Sequence, residues 1–243
     1  YYECSGDSRV EEAVYQALYN LNRHMESNTL FNWGAARWFE CLIPLSWLYE
    51  RRPESWMEGL WDKLRIEGID YRLAFEHWRM EQPHQQGRWS YLTHVVNMGM
   101  ALKAEPLYAR MGGDMERAME RANERAKEML RLLLRDHGMP TGHFTGDECL
   151  SGTSPIQGSE LCSVVEAMYS YELLFSLTGD PFWSDQLERL AFNALPAATS
   201  PDMWAHQYDQ MTNQVQCSRI PEGRQPFLTN SGESHLFGLE PNF

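Results

Sequence analysis

The residues of this chain whose types could do chemistry are concentrated between positions 142 and 166. Two of the acids in this stretch, Glu148 and Glu160, are of interest, and the thiol of Cys162 follows two residues after Glu160. Carboxylates and thiolates both bind zinc, although two ligands fall short of the four that zinc usually takes. Loops between rigid elements often carry catalytic and binding groups. The stretch is therefore the first candidate for a functional site.

Local signals predict how Glu160 and Cys162 could face one ion. On a regular helix, residues two apart point about 200° apart, so both can bind one metal only where the backbone is irregular. The pattern Ser163-x-x-Glu166 matches a capping box before an apolar run, which predicts that a helix begins at Ser163. Both ligands would then lie in the preceding turn. A buried structural cysteine beside a capping acid is the alternative interpretation.

Three further residues are candidates for the functional site, and each also has an ordinary structural explanation. Glu148 lies in a glycine-flanked loop, where a carboxylate can approach a substrate or simply face solvent. His94 falls within an apolar helical pattern, where a core histidine is the common alternative to a ligand. Glu188 precedes Arg189 on a predicted helix, where a surface ion pair is the alternative.

Composition limits the class of protein. The 243 residues suit one large domain, and 43% hydrophobic and 23% charged residues are typical of soluble globular proteins. Acids outnumber bases 34 to 21, which argues against a nucleic-acid partner because phosphate binding requires clustered Lys and Arg. No apolar run approaches the roughly 18 residues of a membrane span, and no signal peptide is expected in the visible sequence. Five irregularly spaced cysteines indicate buried thiols or a metal site instead of a disulfide framework.

Helical periodicity recurs along the chain and strand signals are few, so the sequence predicts an all-α fold. Three Gly-Asp turns join predicted helices, each combining a glycine C-cap with an aspartate N-cap. Such turns imply stacked helical hairpins, either a solenoid or a closed α/α toroid. After about residue 196 the pattern loosens into an irregular or short-stranded tail. The predicted helices cover 10–25, 32–49, 55–64, 69–80, 91–111 (with interruptions at Gly99 and Pro106) and 114–136, and the turns are Gly6-Asp7, Gly113-Asp114 and Gly179-Asp180.

Three runs carry a resemblance to a known family. They are 158–166 (GSELCSVVE), 185–196 (DQLERLAFNALP) and 233–243 (ESHLFGLEPNF). These runs resemble the β-L-arabinofuranosidase family, glycoside hydrolase family 127 and its uncharacterised relatives. The resemblance implies an (α/α)6 barrel, a zinc-thiolate active site and retaining cleavage of terminal β-L-arabinofuranosides, with a carbohydrate as the partner.

The resemblance also implies roles for individual residues. Glu160 and Cys162 match the zinc ligands of the family, although the family usually has Thr between them. Glu148 matches the loop glutamate that acts as general acid and base, at a shorter spacing from Glu160 than in characterised members. His94 and Glu188 match residues that bind the sugar.

In the family pattern, the sequence after Phe243 would continue into Gly-Cys-Cys, which completes the zinc site and supplies the nucleophile. Sugar-binding histidines of the family would precede Tyr1. The resemblance therefore implies one incomplete catalytic domain over 1–243, with helical hairpins over 1–196 and a tail over 197–243. We expect this segment alone to be inactive and lean towards a bacterial periplasmic or secreted location, with cytoplasmic location and oligomeric state open.

Two other functions remain open from the sequence. An α/α-barrel sugar isomerase or epimerase would use a pair of facing histidines, and only His94 is well placed. A catalytically dead, carbohydrate-binding toroid would use aromatic rings, although such rings are more often core residues. The tryptophans weighed for this role are Trp56, Trp61, Trp78, Trp89 and Trp204, and residues 206–210 would either line a sugar pocket or form a surface loop.

Overall fold

The computed structural model describes residues 1–84, 88–111 and 114–214, together with the backbone of Leu239–Pro241. Helices dominate this part of the chain, which confirms the mainly helical prediction. A 3-10 turn covers Trp38–Cys41 and a π-helical turn covers Leu190–Ala194. The helices are α1 Tyr2–Ser5, α2 Ser8–His24, α3 Asn32–Ala36, α4 Leu42–Tyr49, α5 Ser55–Glu67, α6 Tyr71–Glu76, α7 Val95–Ala101, α8 Ala104–Tyr108, α9 Met115–His137, α10 Leu161–Thr178, α11 Pro181–Arg189 and α12 Leu195–Ala198.

Two of the predicted helices are each divided in the structure. The predicted helix over 32–49 is interrupted by the 3-10 turn between α3 and α4. The predicted helix over 91–111 breaks at Leu102 and Lys103, between α7 and α8. Pro106 explains the second break, because its ring clashes with the carbonyl four residues earlier, that of Leu102. Every residue of α7 is buried, so its predicted inner position is confirmed.

The Gly-Asp turns join helices as the sequence predicts. In Gly6-Asp7 and Gly179-Asp180 the glycines have φ of 64° and 66°, a left-handed conformation that suits a residue without a β-carbon. Both aspartate carboxylates accept a hydrogen bond from the second residue beyond them. Gly113 lies outside the described residues, and Asp114 is the N-cap residue of α9 as predicted, although its side chain makes no cap hydrogen bond among the described residues.

Two small antiparallel sheets accompany the helices. Strand β1 (Gly158–Glu160) pairs with β3 (Asp209–Met211), and β2 (Ala205–Gln207) pairs with β4 (Leu239–Pro241). The first pairing sets Glu160 opposite Asp209. A segment of the tail is therefore held against the beginning of α10.

The hydrophobic core lies between the long helices. Helix α7 packs beside α10, and α11 folds back along α10 as the second half of a hairpin. Trp38, Trp61 and Trp183 are almost fully buried in this core, so Trp61 is not available for stacking on a sugar. No helix among the described residues is long and apolar enough to cross a membrane.

Candidate active site

Glu148 lies on the loop between α9 and β1, and its side chain is 13% exposed. Its backbone has φ of 103°, a conformation that residues with a β-carbon rarely adopt. The backbone carbonyl accepts a hydrogen bond from Val95 N–H at 2.8 Å, and the side-chain Oε2 accepts one from Trp89 Nε1–H at 3.1 Å. Hydrogen bonds to the backbone carbonyl and to the side chain of Glu148 therefore hold its carboxyl group in position.

His94 is buried beside Glu148, as the N-cap of α7 and not within a helix as the sequence predicted. Its Nδ1 accepts a hydrogen bond from the Asn97 backbone N–H at 3.3 Å. In the neutral ring the proton then resides on Nε2, which lies 3.5 Å from Glu148 Oε2. His94 therefore presents a hydrogen-bond donor to the site, an arrangement that favours contact with an oxygen over binding a metal through Nε2.

Glu160 ends β1, precedes α10 as its N-cap residue and is 2% exposed. The Tyr208 hydroxyl donates to Glu160 Oε1 at 2.7 Å and lies 3.2 Å from Glu148 Oε1. Because a phenol has one proton, the Glu148 contact is most favourable when the Glu148 carboxyl is itself protonated and donates to the phenol oxygen. Tyr208 thus links the two carboxyl groups into one hydrogen-bonded chain.

Burial raises the pKa values of Glu160 and Cys162. It raises the pKa of Glu160 to about 7, against the lowering effect of the Tyr208 hydrogen bond. Cys162 as a residue is exposed, while its thiol contacts Glu160. Partial burial and the neighbouring Glu160 carboxylate raise the pKa of the thiol to about 12. A bound cation would reverse both shifts, because it favours the charged forms of both groups.

Two sets of residues are candidates for a metal site. Ligand atoms of His94, Glu148 and Glu160 lie within 4.8 Å of one another. Within the described part of the chain, Glu160 Oε2 is buried without a hydrogen-bond partner, which suits a ligand for a cation. The His94 tautomer argues against that histidine as a ligand, whereas the Cys162 thiol adjoins Glu160. The donor types and the orphaned oxygen fit zinc held by Glu160 and Cys162.

The start of α10 differs from the capping-box prediction. The helix begins at Leu161 and includes Cys162 in its first turn, so a start at Ser163 is wrong. Leu161 N–H donates to Tyr208 C=O at 2.8 Å, which carries the backbone from β1 directly into the helix. The Ser163 side chain is buried, and its Oγ lies 2.8 Å from His143 Nε2 and donates to Val95 C=O at 3.3 Å instead of capping the helix.

His143 provides a prediction for stability. It is fully buried, and burial lowers its pKa to about 3, from an ordinary value of 6.5. Below pH 6.5 the unfolded chain binds a proton there that the native state does not, so stability falls as pH falls, by about 2 kcal/mol between pH 7 and pH 5. We expect urea unfolding to show a smaller loss over this range in His143→Gln. The exposed His24→Gln variant serves as the control, and an unchanged loss in His143→Gln would contradict the assignment.

Glu188 is not brought into this cluster. It is exposed on α11, and within 1–84, 88–111 and 114–214 no recorded hydrogen bond or ion pair joins it to Glu148 or Glu160. The neighbouring Arg189 side chain packs closely over Gly142, where an added β-carbon would lie 2.3 Å from Arg189 Cδ. The sugar-binding role of Glu188 stays a prediction.

Tyr208 is the site residue that sequence reasoning did not single out. Its only signal was its position in the polar and aromatic run 206–210. We expect Tyr208→Phe to lower kcat/KM by about 10- to 100-fold, because hydrogen bonds to charged groups contribute about 1.5–3 kcal/mol. The loss should come with unchanged thermal stability, within a few degrees, in a melting experiment. Full activity of the variant would exclude the hydroxyl from the reaction.

Comparison with known proteins finds a family likeness in part of this chain. Residues 137–226 match the model of the β-L-arabinofuranosidase GH127 catalytic domain. The matched segment covers less than half of the chain and contains Glu148, Glu160, Cys162, Glu188 and Tyr208. The match is to the catalytic domain of a glycoside hydrolase family and supports that class of enzyme for this chain.

The fold has a likeness among solved structures. A glycosyl hydrolase family 88 protein from Bacteroides vulgatus superposes with a TM-score of 0.55 at 13% sequence identity. The alignment covers 98% of this chain and 67% of that chain. At this identity the likeness concerns the helical fold alone. No curated protein sequence matches the chain.

Proposed function

We propose that the GH127 segment forms the active site of a retaining glycosidase that cleaves terminal β-L-arabinofuranosides with zinc and a cysteine thiolate. One observation carries the proposal: Glu148 and Glu160, from separate elements, meet at the Tyr208 hydroxyl within the family-matched segment. The helical hairpins, together with the likeness over 98% of the chain, favour a closed (α/α)6 barrel as the scaffold.

Glu160 and Cys162 are the residues of this chain that would hold zinc. The Glu160 Oε2, which has no hydrogen-bond partner among the described residues, and the adjacent thiol supply a carboxylate and a sulfur donor, and further cysteines of the family pattern would complete the set. When bound, zinc keeps cysteines ionised at neutral pH, which makes a thiolate available as the nucleophile.

Glu148 is the proton donor in this proposal. Its protonated carboxyl group gives a proton to the leaving oxygen, and the resulting carboxylate then accepts a proton from the water that releases the sugar. Trp89 Nε1–H holds Oε2 in place. His94 Nε2–H is available to donate to a sugar oxygen, in line with its implied role.

The test uses the full-length protein, its zinc content and terminal β-L-arabinofuranosides with alkyl and aryl leaving groups. We expect about one zinc per chain, activity that disappears on chelation and returns with zinc, and a first-formed product with the β-configuration by NMR. Activity that survives complete removal of zinc, or a first-formed product of inverted configuration, would refute the mechanism.

The two alternative functions receive no specific support. An isomerase needs a second histidine facing the first, and His94 is the one histidine in the cluster built by the described residues. A catalytically dead binder would retain affinity for sugar without hydrolysis. The same assays distinguish these cases.

A further inference from the structure

We infer that Trp33, Trp89 and Tyr91 form a subsite for the leaving group of the substrate, a sugar or an aryl aglycone. We call these three residues the aromatic wall. The inference rests on the proposed function, because it takes Glu148 as the acid. It adds the position of the group that departs.

The three rings form one mutual cluster. Ring centroids lie 5.2 Å apart for Trp33 and Trp89, 4.9 Å for Trp33 and Tyr91, and 4.6 Å for Trp89 and Tyr91. All three pairs pack edge to face, a favourable arrangement for aromatic rings. Trp33 comes from α3 and the other two from the segment before α7, so two separate parts of the chain build the wall.

The aromatic wall is continuous with the proton donor. Trp89 Nε1–H donates to Glu148 Oε2, and the His94 ring lies 5.2 Å from Trp33 and 5.3 Å from Trp89. A general acid must lie within hydrogen-bond reach of the leaving oxygen. The group attached to that oxygen therefore lies close to the aromatic wall.

Trp33 remains open to solvent in spite of these contacts. It is 42% exposed, whereas Trp38, Trp61 and Trp183 in the core are almost completely covered. The Arg37 guanidinium lies 4.4 Å from the centroid of the Trp33 ring, and Arg37 Nε–H donates to Asn97 Oδ1 at 2.9 Å. The indole is thus held in place while part of it stays available. A fixed, exposed aromatic ring beside polar groups is typical of a ligand pocket and suits the apolar face of a sugar.

The experiment compares two substrates with the same reacting bond in the full-length protein: a β-L-arabinofuranosyl disaccharide and methyl β-L-arabinofuranoside. Trp33→Ala should lower kcat/KM for the disaccharide by about five- to tenfold, because it removes a stacking surface, and by less than about twofold for the methyl glycoside. Trp33→Phe, which keeps a flat ring, should retain most of the preference. Trp33→Leu, which keeps apolar volume, should lose it.

Phe192→Ala is the control, since this exposed ring makes no recorded ring contact with the aromatic wall in the part of the chain that the structure describes. A disaccharide-specific loss in Trp33→Ala and Trp33→Leu supports the subsite, and Trp33→Leu decides alone if the alanine variant does not fold. Equal losses on both substrates, or no loss on either, overturn the subsite and leave the glycosidase proposal intact. A wild-type protein that cleaves neither substrate overturns the proposed function and this inference with it.

Discussion

Glu148→Gln is expected to lower kcat/KM for a methyl or disaccharide β-L-arabinofuranoside by about 10²- to 10⁴-fold, the usual contribution of a general acid. Glutamine preserves the shape of the side chain and can keep an acceptor for Trp89 Nε1–H, but it has no proton to give to the leaving oxygen. The fall should be smaller for a 4-nitrophenyl glycoside, whose leaving group departs without protonation. Steady-state kinetics on both substrates measure the difference.

Zinc content separates the two possible roles of Glu148. In the proposed mechanism this residue is not a ligand, so the glutamine variant should bind zinc as the wild type does. If the variant loses its zinc, then His94, Glu148 and Glu160 form the metal site, and Glu148 is not the acid.

Glu160→Gln is expected to weaken zinc binding by at least about 100-fold and to abolish measurable activity, because it removes an ionised ligand. The neutral amide oxygen is a poor replacement for the buried carboxylate oxygen that has no hydrogen-bond partner among the described residues. Competition with a chelator of known affinity measures the change. Glu166→Gln, on the same helix, is the control and should bind zinc normally.

The affinity for zinc should also depend on pH through Glu160. Without metal, the pKa of this carboxyl is raised to about 7, so below that pH zinc must displace its proton. The affinity of the wild type should therefore fall as pH falls from 7 to 6, by about fivefold from this group, in addition to the thiol contribution. Glu160→Gln should lose this additional dependence. The same pH dependence in both proteins would mean that Glu160 is not a ligand.

Sequence alone was sufficient where the signals are local. The Gly-Asp turns at Gly6 and Gly179 were predictable because each depends only on adjacent residues: a glycine that adopts a left-handed conformation and an aspartate that caps the next helix. The sequence predicted interruptions of the 91–111 helix at Gly99 and Pro106, whereas the break lies at Leu102 and Lys103, because the ring of Pro106 acts on the carbonyl four residues earlier. The break between α3 and α4 was not predicted. The capping-box prediction at Ser163 was wrong because the pairing of β1 with β3 sets where the helix begins, and the Ser163 hydroxyl contacts the buried His143 instead of the helix backbone.

In the candidate site, too, local patterns identified some residues, whereas contacts between distant parts of the chain were not predicted. The Glu-x-Cys spacing and the family runs identified Glu160, Cys162 and Glu148 as candidates. Nothing in the spacing predicts that Tyr208 reaches both carboxyl groups, because β1 and β3 are about fifty residues apart and their pairing is a long-range event. The position of His94 at the helix end, and with it the tautomer, likewise depends on where tertiary contacts begin the helix.

In the proposed mechanism, the backbone conformation of Glu148 sets stability against catalysis at a single residue. Its φ of 103° costs a residue with a β-carbon about 1–3 kcal/mol, whereas glycine adopts it freely. Selection for stability alone would favour glycine at this position. Libraries screened only for thermal stability should therefore enrich inactive glycine variants at position 148, whereas screens for hydrolysis should retain the acid.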